Sequence, residues 1–476
     1  MKKNTMKAGK SFLFLLSVCN IIFVLICVIS SFALRPDREF VSKEPVRRLS
    51  APSAGEQTDT YGTKYVKITG SSVVIYGDGS VEASDNIGIT KGKKYRLLEV
   101  KSDPFGEVWY KFQYSKTKTG WVNENSAVIF TAPPKGDETC RGAIADIAKK
   151  YGAVGVQVAV IHRGVVGETY EYGYATKSSV TMKSDHKIRA ASVTKVVVGM
   201  TAMKMREEGI IDLDADISEY WGSKLYKSTT LRELFSHTSY LRYLTFPKTR
   251  GDALGQLRRS GSYRPTNEWL YNNYAIGIAG TTLEVASDRT LNSYATEKFF
   301  GPLNMDASFN SGEIRNKKLL ATLYNPNDSV SRTASAAASF PKRPVGRSSA
   351  FYAGGLTISA KDLAKLTAIL ANDGTYDGVR YLSEESVELM ETPVCVAESR
   401  GHDFVQCIPL RYQPDLFGQD RLYYHLGIAY GTLSILSYNP DTRDGVVVIT
   451  TGANERHDDR GIFNICAEIA DYIYNY

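Results

Sequence analysis

Features that would mark a metalloprotein, a nucleic-acid-binding protein or a repeat protein are scarce in this chain of 476 residues. Neither an H-E-x-x-H zinc motif nor a G-x-S-x-G nucleophile elbow occurs, and no segment repeats at a solenoid period. The lysines and arginines behind the formal net charge of +7 are spread out rather than clustered in a basic stripe. Four histidines stand alone rather than in a metal-ligand motif: His162, His186, His402 and His457. We therefore predict no metal, no cofactor and no nucleic-acid partner.

Cysteine is also scarce, with six residues in the chain. Cys19 and Cys27 lie in an apolar run, where they behave as small apolar side chains. The others form an even number, which in an oxidising compartment permits three pairings: Cys140, Cys395, Cys407 and Cys466. We expect Cys395 to pair with Cys407 across a short loop. The second expected pair would join Cys140 and Cys466, in the first and last helices of the main domain. The alternative is four unpaired buried thiols.

The sequence does contain one long apolar run near its start. Residues 11–34 form an uncharged and mostly apolar stretch of roughly 24 residues, against roughly 20 needed to cross a bilayer. A secretory signal peptide has an apolar core of only about 7 to 15 residues. We therefore predict a short cytoplasmic tail at 1–10 and an uncleaved transmembrane anchor at 11–34, with cleavage after Ala33 as the alternative. Residues 35–60, rich in Pro, Ser and charge, are a predicted linker.

Residues 61–132 are predicted to form a small β domain. Short β-rich runs such as YVKITG and EVWYKFQY alternate with Gly, Asp and Lys-Gly turns, a pattern typical of a small barrel. The run ending in Gly120-Trp121-Val122 resembles the bacterial Src-homology-3 (SH3) domains that often accompany cell-wall enzymes. Three aromatic residues would either bind wall peptides or fill the small core: Trp109, Tyr110 and Trp121.

A mixed domain of helices and strands is predicted over residues 137–476. The run TCRGAIADIAKKYG predicts a helix, VGVQVAVIHRG and VVGETYEYGYA predict two strands, and further strands return near the end of the chain. Helical segments dominate from Ser192 to Phe309. A sheet built from both ends of the chain, with helices inserted between, implies two lobes and a cleft, where ligands prefer to bind.

A lysine at the head of an apolar helix is the first candidate for chemistry. Ser192 lies three residues before Lys195 in AASVTKVVVGM, so the two side chains would share one helix face, close enough to exchange a proton. Burial would lower the pKa of the lysine and give a neutral amine that can deprotonate the serine. The S-x-x-K pattern also occurs where no apolar helix follows: Ser115/Lys118, Ser184/Lys187 and Ser339/Lys342.

The segments around this pair form a longer series. The chain carries, in this order, HKIRAASVTKVVVGM, LRELFSHTSYL, YNNYAIGIAG, FFGPLNMDASF, YAGGLTISAKDLAKLTAIL and HLGIAYG. The series resembles the serine hydrolase superfamily of class C β-lactamases, D-alanyl-D-alanine carboxypeptidases and related esterases, over most of residues 140–476. The resemblance implies the β-lactamase/transpeptidase-like fold, an α/β (α+β) architecture with an antiparallel sheet beside an all-helical lobe.

The resemblance also implies roles in the first two motifs. Ser192 would be the nucleophile and Lys195 the base. In the triplet that begins at Tyr271, the phenol would relay the proton to the leaving group. The amide of Asn273, at the end of the same triplet, would contact the substrate.

The third motif is His425-Leu426-Gly427. His425 would donate a hydrogen bond to the motif tyrosine or help to hold it ionised, and Gly427 would let the backbone approach the substrate closely. By family analogy, the backbone N–H groups of Ser192 and Ile428 would bind the oxyanion. Leu426 replaces the hydroxyl residue that contacts the substrate carboxylate in penicillin-recognising relatives. The loss of such a bond costs about 1.5 to 3 kcal/mol, which argues against efficient penicillin hydrolysis.

Other residues of the series are expected to be structural. Tyr240 replaces the glycine usual after HTS, and Asn272 replaces the usual serine of the second motif. His237 is expected to shape the fold rather than to act in catalysis. Gly354 and Gly355 are predicted to form a tight turn beside the cleft, and residues 325–349 are predicted to form a mobile loop that affects specificity.

The predicted function is therefore acyl transfer outside the cytoplasm. The chain would be a single-pass protein of the cell membrane, acting on peptidoglycan or another wall polymer that carries D-amino acids, with a β-lactam as a further candidate ligand. D-alanyl peptides and D-alanyl esters are the favoured substrates, and a true β-lactamase is an alternative. The alternative from another class is a wall-binding or sensing protein that captures its ligand without turnover.

Overall fold

The computed structural model describes residues 64–68, 74–76, 81–83, 94–102, 107–114, 118–131 and 140–475. The chain divides into a first unit, Met1–Thr58, which lies outside these ranges, and a second unit, Asp59–Tyr476. The predicted tail, anchor and linker, at residues 1–10, 11–34 and 35–60, lie outside the described residues. Within the described ranges, no helix is both long enough and apolar enough to cross a bilayer.

Short antiparallel strands between residues 64 and 131 form one sheet in the order β3-β2-β6-β5-β4-β1-β7. Tyr110 packs against the core of this sheet, while Trp109 and Trp121 are half-buried. The core consists of Val66, Ile68, Phe112, Val122 and Ala127. An SH3-like identity for this unit stays a prediction. The strands are β1 (Lys64–Ile68), β2 (Val74–Tyr76), β3 (Val81–Ala83), β4 (Lys94–Ser102), β5 (Val108–Gln113), β6 (Thr119–Asn123) and β7 (Ala127–Thr131).

A larger antiparallel sheet lies at the centre of the main domain, in the order β10-β9-β8-β22-β21-β20-β19-β18-β17. Its middle pairs β8 with β22, so that Gly155 lies opposite Thr451. The prediction of a sheet assembled from both ends of the chain is confirmed. The strands of this domain are β8 (Gly155–His162), β9 (Val165–Thr176), β10 (Val180–Thr181), β11 (Ile188–Arg189), β12 (Leu323–Tyr324), β13 (Val330–Arg332), β14 (Thr357–Ile358), β15 (Thr375–Tyr376), β16 (Val379–Arg380), β17 (Cys395–Ser399), β18 (His402–Gln406), β19 (Arg411–Tyr412), β20 (Tyr423–Ala429), β21 (Thr432–Asn439) and β22 (Asp444–Thr451).

Helices cover this sheet and build the second lobe. The segment predicted as a mobile loop, residues 325–349, contains β13 and a short helix, so it is more regular than predicted. The helices are α1 (Cys140–Lys150), α2 (Thr194–Glu207), α3 (Ser218–Trp221), α4 (Leu231–Phe235), α5 (Arg250–Leu257), α6 (Asn273–Ser287), α7 (Leu291–Ala295), α8 (Ala334–Ala338), α9 (Ser349–Tyr352), α10 (Ala360–Ala371), α11 (Glu384–Glu391) and α12 (Asn464–Asn475).

The two faces of the sheet belong to different apolar clusters, because successive side chains of a strand point to opposite faces. On β22, Val446 and Val448 lie in a cluster with α1 and α12. Val447 and Ile449 of the same strand lie in a larger cluster with α10 and the helical lobe. Helix α2 runs through that larger cluster and is buried at every residue from Thr194 to Met203. This position explains why an apolar run follows the motif lysine.

The predicted disulfides are wrong, since the four described cysteines are free thiols. Cys395 on β17 lies opposite Gln406 of β18, so the next residue, Cys407, presents its side chain to the other face. Cys140 and Cys466 belong to the apolar cluster between α1, α12 and the sheet. Burial raises the pKa of both thiols, and they act as small apolar side chains.

Candidate active site

A strained turn presents the serine of the first motif. Ala191 has a φ of 48°, in the left-handed region that side chains other than glycine rarely adopt. The turn is fixed on one side by a 2.7 Å hydrogen bond from the Ala190 N–H to the Leu356 carbonyl. On the other side, the Thr194 hydroxyl donates to the Ala191 carbonyl at 2.6 Å. Ser192 therefore stands partly exposed at the start of α2, with its backbone held rigidly.

Lys195 follows one turn later and is completely buried, with an exposed fraction of 0%. Its Nζ atom donates to the Ser192 Oγ at 3.0 Å and to the Ala353 carbonyl at 2.6 Å. Burial lowers the pKa of the Lys195 amine, as do the cationic Arg411 and Arg189, although Tyr271 acts in the opposite direction. The predicted contact between the two side chains is present, and the amine is in the environment that makes lysine a base.

Tyr271 completes this cluster from the second motif. Its ring centroid lies 5.0 Å from the Lys195 Nζ. Burial alone would raise the pKa of the Tyr271 phenol, but Lys195, Arg411 and hydrogen bonding with Lys195 and Ser192 outweigh it, so the pKa is lowered. Because both pKa values are lowered, Lys195 and Tyr271 together readily lose one proton and then carry no net charge. Either the neutral Lys195 amine or the Tyr271 phenolate can then accept the Ser192 proton.

Asn273 begins α6, directly after the helix cap formed by Asn272. The Asn272 side chain accepts from the Ala275 N–H at 3.2 Å and donates to the Leu241 carbonyl at 3.0 Å. The Asn273 side chain is half-buried, and its Nδ2 donates to the Tyr243 hydroxyl at 3.4 Å. Asn272, which replaces the usual serine, therefore holds the second motif in place. The Asn273 amide stays available to a ligand.

Strand β20 brings the third motif against the serine turn. A Cβ atom on Gly427 would lie 2.7 Å from the Ala190 carbonyl oxygen and 3.1 Å from the Ser192 nitrogen, so only glycine permits this approach. Strand β19 pairs with β20 only at Tyr423 and Tyr424, which leaves the edge beyond them without a strand neighbour in the described chain. Ile428, 37% exposed, lies on this stretch and beside the serine turn. The role of the Ser192 and Ile428 N–H groups as oxyanion donors stays a prediction.

His425 lies in the site but does not have the predicted hydrogen bond. Its Nδ1 lies 2.7 Å from the Leu426 carbonyl oxygen, and a carbonyl only accepts, so this nitrogen carries the proton. Burial, Arg411 and Lys195 lower the pKa of His425 well below its usual value, so the ring is neutral and its Nε2 is an acceptor. A neutral ring in this tautomer cannot donate to Tyr271. The side chain of Leu426 packs into the apolar cluster with α12 and offers the cleft no hydrogen bond.

His237 lies closer to the chemistry than its predicted structural role implies. Its Nδ1 accepts the Asn272 N–H at 3.2 Å, and its ring centroid lies 4.6 Å from that of Tyr271. The neutral ring therefore carries its proton on Nε2, which is buried without a hydrogen-bond partner. Burial, Lys195 and other nearby positive charge lower the pKa of His237 well below its usual value. The hydrogen bond with Asn272 shows that His237 supports the second motif. Its lack of a catalytic role stays a prediction.

Arg411 is the functional residue that the sequence did not reveal. It is 9% exposed on β19, and its guanidinium carbon lies 4.1 Å from the Phe404 ring centroid and 5.6 Å from that of Tyr271. Its charge acts on the pKa of both Lys195 and Tyr271. A single arginine in a two-residue strand belongs to no spacing pattern, so only the fold could place it at the site.

The glycines predicted to turn beside the cleft also reach the site. A Cβ atom on Gly354 would lie 3.4 Å from the Ala191 carbonyl carbon, and Gly355 donates its N–H to the Phe351 carbonyl. The turn thereby holds the Ala353 carbonyl against Lys195. Within the described part of the chain, no group of three or more His, Cys, Asp or Glu side chains could hold a metal ion.

The fold and the Ser-x-x-Lys, tyrosine and glycine-strand arrangement are those of the β-lactamase-like serine hydrolase superfamily. The chain belongs to the Beta-lactamase family, whose model matches residues 140–467. A Mycobacterium tuberculosis relative, Protein Rv1367c, is 26% identical over 286 residues, covering 53% of this chain and 70% of the relative.

Two solved structures show the same fold. The D-amino acid amidase from Ochrobactrum anthropi SV3, complexed with D-phenylalanine, has a TM-score of 0.56 at 23% identity, covering 70% of this chain and 96% of the amidase. The β-lactamase/D-alanine carboxypeptidase from Pseudomonas syringae has a TM-score of 0.55 at 14% identity, covering 68% of this chain and 95% of that protein. At these identities the likeness establishes the fold and not the substrate.

Proposed function

We propose that this chain is a serine hydrolase that forms an acyl-enzyme on D-amino-acid amides or esters of the cell envelope. The observation that carries the proposal is the 3.0 Å contact between the Lys195 Nζ and the Ser192 Oγ, made by a lysine with no exposed surface. No carboxylate of the described residues contacts this amine, so its burial is costly for folding and useful for a base.

The geometry supports a two-step acyl transfer. In the first step, Ser192 Oγ attacks the substrate carbonyl while the Lys195 and Tyr271 pair takes its proton, and the same pair then delivers that proton to the leaving group. The negative charge that develops on the carbonyl oxygen is stabilised by the Ser192 and Ile428 N–H groups; one such donor contributes about a hundredfold to a thousandfold to the rate. In the second step, water attacks the acyl-enzyme and releases the acid.

The substrate class is supported by the relatives and by one substitution. Related folds are named for action on D-amino acid amides and for D-alanine carboxypeptidase activity. The buried Leu426 removes a hydrogen bond to a substrate carboxylate, which disfavours β-lactam turnover. The apolar run at 11–34 and the β unit at 61–132 support a membrane-anchored protein whose catalytic domain acts on wall polymer outside the cytoplasm.

The test is acylation of the full chain by D-alaninamide, a D-alanyl ester and a fluorescent penicillin, followed by product analysis and intact mass. We expect a Ser192-linked acyl adduct with the D-alanyl compounds, and no adduct or turnover in Ser192→Ala. Ser184→Ala is the matched control, because Ser184 belongs to another S-x-x-K pair whose lysine, Lys187, is held by Asp362 at 2.7 Å. Equal activity of the wild type and Ser192→Ala would overturn the proposal. A persistent adduct without turnover would instead support a ligand sensor.

A further inference from the structure

Two arginines contact one tyrosine at the end of the strand that borders the cleft. Tyr430 lies just beyond β20 and is 46% exposed. The guanidinium carbon of Arg189 lies 4.8 Å from its ring centroid, and that of Arg332 lies 4.4 Å from the same centroid. The positive charges of Arg189 and Arg332 therefore lie close together, beside the same ring.

These charges have no counter-charge of their own. Among the described residues, no ion pair joins Arg189 or Arg332 to a carboxylate. The Arg189 Nε is buried without a hydrogen-bond partner. Burial lowers the pKa of Arg189 to about 10, with Arg332 acting in the same direction and Tyr430 opposing it. An unpaired buried charge is costly, and an anionic ligand would offset that cost.

The arginine pair lies at the end of β20 that is opposite to the start of the third motif. Arg189 precedes Ser192 by three residues, and Tyr430 follows the oxyanion donor Ile428 by two. Tyr271, the proposed proton donor to the leaving group, has its ring centroid 5.6 Å from the guanidinium carbon of Arg411, which pairs with Tyr424 near the other end of the strand. A substrate aligned along β20 would therefore place its acyl portion towards the two arginines.

Arg332 belongs to a basic segment that is held at the site at both ends. Residues 330–351 contain four cationic side chains and no Asp or Glu. Just before this segment, the Tyr324 carbonyl packs so closely on Gly431 that a Cβ atom there would overlap it. Just after it, the Ala353 carbonyl accepts the Lys195 hydrogen bond. The fixed ends of the segment therefore determine where Arg332 lies. The positive charge of the segment favours a negatively charged ligand.

We propose that Arg189 and Arg332 bind an anionic oxygen group, a carboxylate or a phosphate, on the acyl portion of the substrate. The planar guanidinium group can donate to two oxygens of either anion at once, and arginine remains charged even where it is buried. This inference rests on the proposed acyl transfer at Ser192 and specifies its substrate class as acyl donors that carry a negative charge on the acyl side.

The test uses amides that differ only in charge. N-succinyl-D-alaninamide carries a carboxylate on the acyl side, its methyl succinyl ester is neutral, and N-phosphonopropionyl-D-alaninamide distinguishes a phosphate preference. We expect wild-type kcat/KM to be about tenfold to a hundredfold higher for the anionic amides than for the neutral one, the range for hydrogen bonds to charged groups. In Arg332→Gln, the anionic and neutral amides should have equal kcat/KM. Arg189→Lys keeps the positive charge but loses the planar guanidinium, so it should reduce the ratio.

The control variant is Arg343→Gln, in the same segment but with its guanidinium carbon 4.8 Å from the Phe351 ring centroid instead. It should keep the wild-type ratio. A wild type without preference, a ratio retained in Arg332→Gln, or equal loss in Arg343→Gln would overturn the inference. Binding of the same amides to Ser192→Ala by calorimetry separates the two proposals. An anion preference in that binding, without any turnover by the wild type, would support the anion site and refute the proposed acyl transfer.

Discussion

At the scale of single residues, the cost of burying Lys195 dominates. The amine is fully buried and its pKa is lowered first by that burial. The unfolded chain therefore binds this proton more readily than the native protein does. Below the unfolded pKa, the native state must either lose a proton or bury a charge, and both reduce stability. The residue proposed as the catalytic base is thus expected to destabilise the fold.

We predict that Lys195→Met is more stable than the wild type while losing acylation. The midpoint of thermal unfolding should rise at pH 7, by about 1 to 2 °C for each kcal/mol gained in a domain of this size. The difference should shrink as the pH rises towards the usual lysine pKa, because there the unfolded state also loses the proton. Calorimetry across pH 6 to 10 measures both trends. Lys204→Met is the control, since Lys204 lies on the same helix but forms a half-buried ion pair with Glu207. A destabilised Lys195→Met would contradict this account.

Arg411 offers a second prediction at this scale, as a positioning residue that acts through charge. Its cation lowers the pKa of Lys195 and Tyr271, so its removal should raise both. The state in which Lys195 and Tyr271 have together lost one proton would then form only at higher pH. We expect the acidic limb of the kcat/KM profile to move to higher pH in Arg411→Gln and to return towards the wild-type position in Arg411→Lys. A loss of activity that is equal at every pH would show instead that Arg411 acts by contact with substrate.

At the scale of elements, β20 approaches the serine turn closely at the position proposed for the oxyanion. The side chain that glycine lacks at position 427 would meet the Ser434 hydroxyl, the Ala190 carbonyl and the Ser192 nitrogen. The last two contacts are to backbone that is already held by hydrogen bonds, so the strand would have to move instead. Such a shift would displace the Ile428 N–H from the oxyanion.

We therefore predict that Gly427→Ala lowers kcat/KM by about a hundredfold or more, the effect of losing one oxyanion donor, while the protein remains folded. Gly255→Ala is the matched control. Gly255 lies within α5 with no atom within 4 Å of an added Cβ, so alanine there should leave activity unchanged and stabilise the helix by up to about 1 kcal/mol. Circular dichroism and steady-state kinetics on both variants decide the matter. Wild-type kinetics in Gly427→Ala would exclude the assigned oxyanion geometry.

At the scale of the whole molecule, the centre of the sheet was predictable because β8 and β22 are nearly continuous apolar runs, as in VGVQVAVIHRG. The serine and lysine pair was predictable because both residues lie on one helix turn, where spacing fixes proximity. Cysteine pairing depends on strand register, and a shift of one residue reverses the face of a side chain. The sequence therefore did not reveal that Cys395 lies opposite Gln406. Arg332 and Arg411 contact Tyr430 and Tyr271 through tertiary structure that no local sequence pattern encodes.

One buried carboxyl group, far from the reacting atoms, should make the free energy of unfolding depend on pH. Glu284 has no exposed surface, and burial raises its pKa to about 7, although the Tyr352 hydroxyl and the Gly346 and Leu291 N–H groups oppose the shift. The native protein therefore binds this proton more tightly than the unfolded chain between pH 4.5 and 7, and the associated stability is lost as the pH rises through that window. A change in pKa from 4.5 to about 7 corresponds to about 3 kcal/mol.

We predict that Glu284→Gln removes this slope. The difference in unfolding free energy between wild type and variant, measured by urea titration, should change by about 3 kcal/mol from pH 4.5 to pH 8 in the sense that favours the wild type at low pH. The exposed Glu268→Gln should show no such change. Because Glu284 accepts the Gly346 N–H at 2.8 Å, it also fixes the basic segment that carries Arg332. We therefore expect the anion preference to weaken in Glu284→Gln as well. A pH slope that is the same in the wild type and in Glu284→Gln would show that another group titrates.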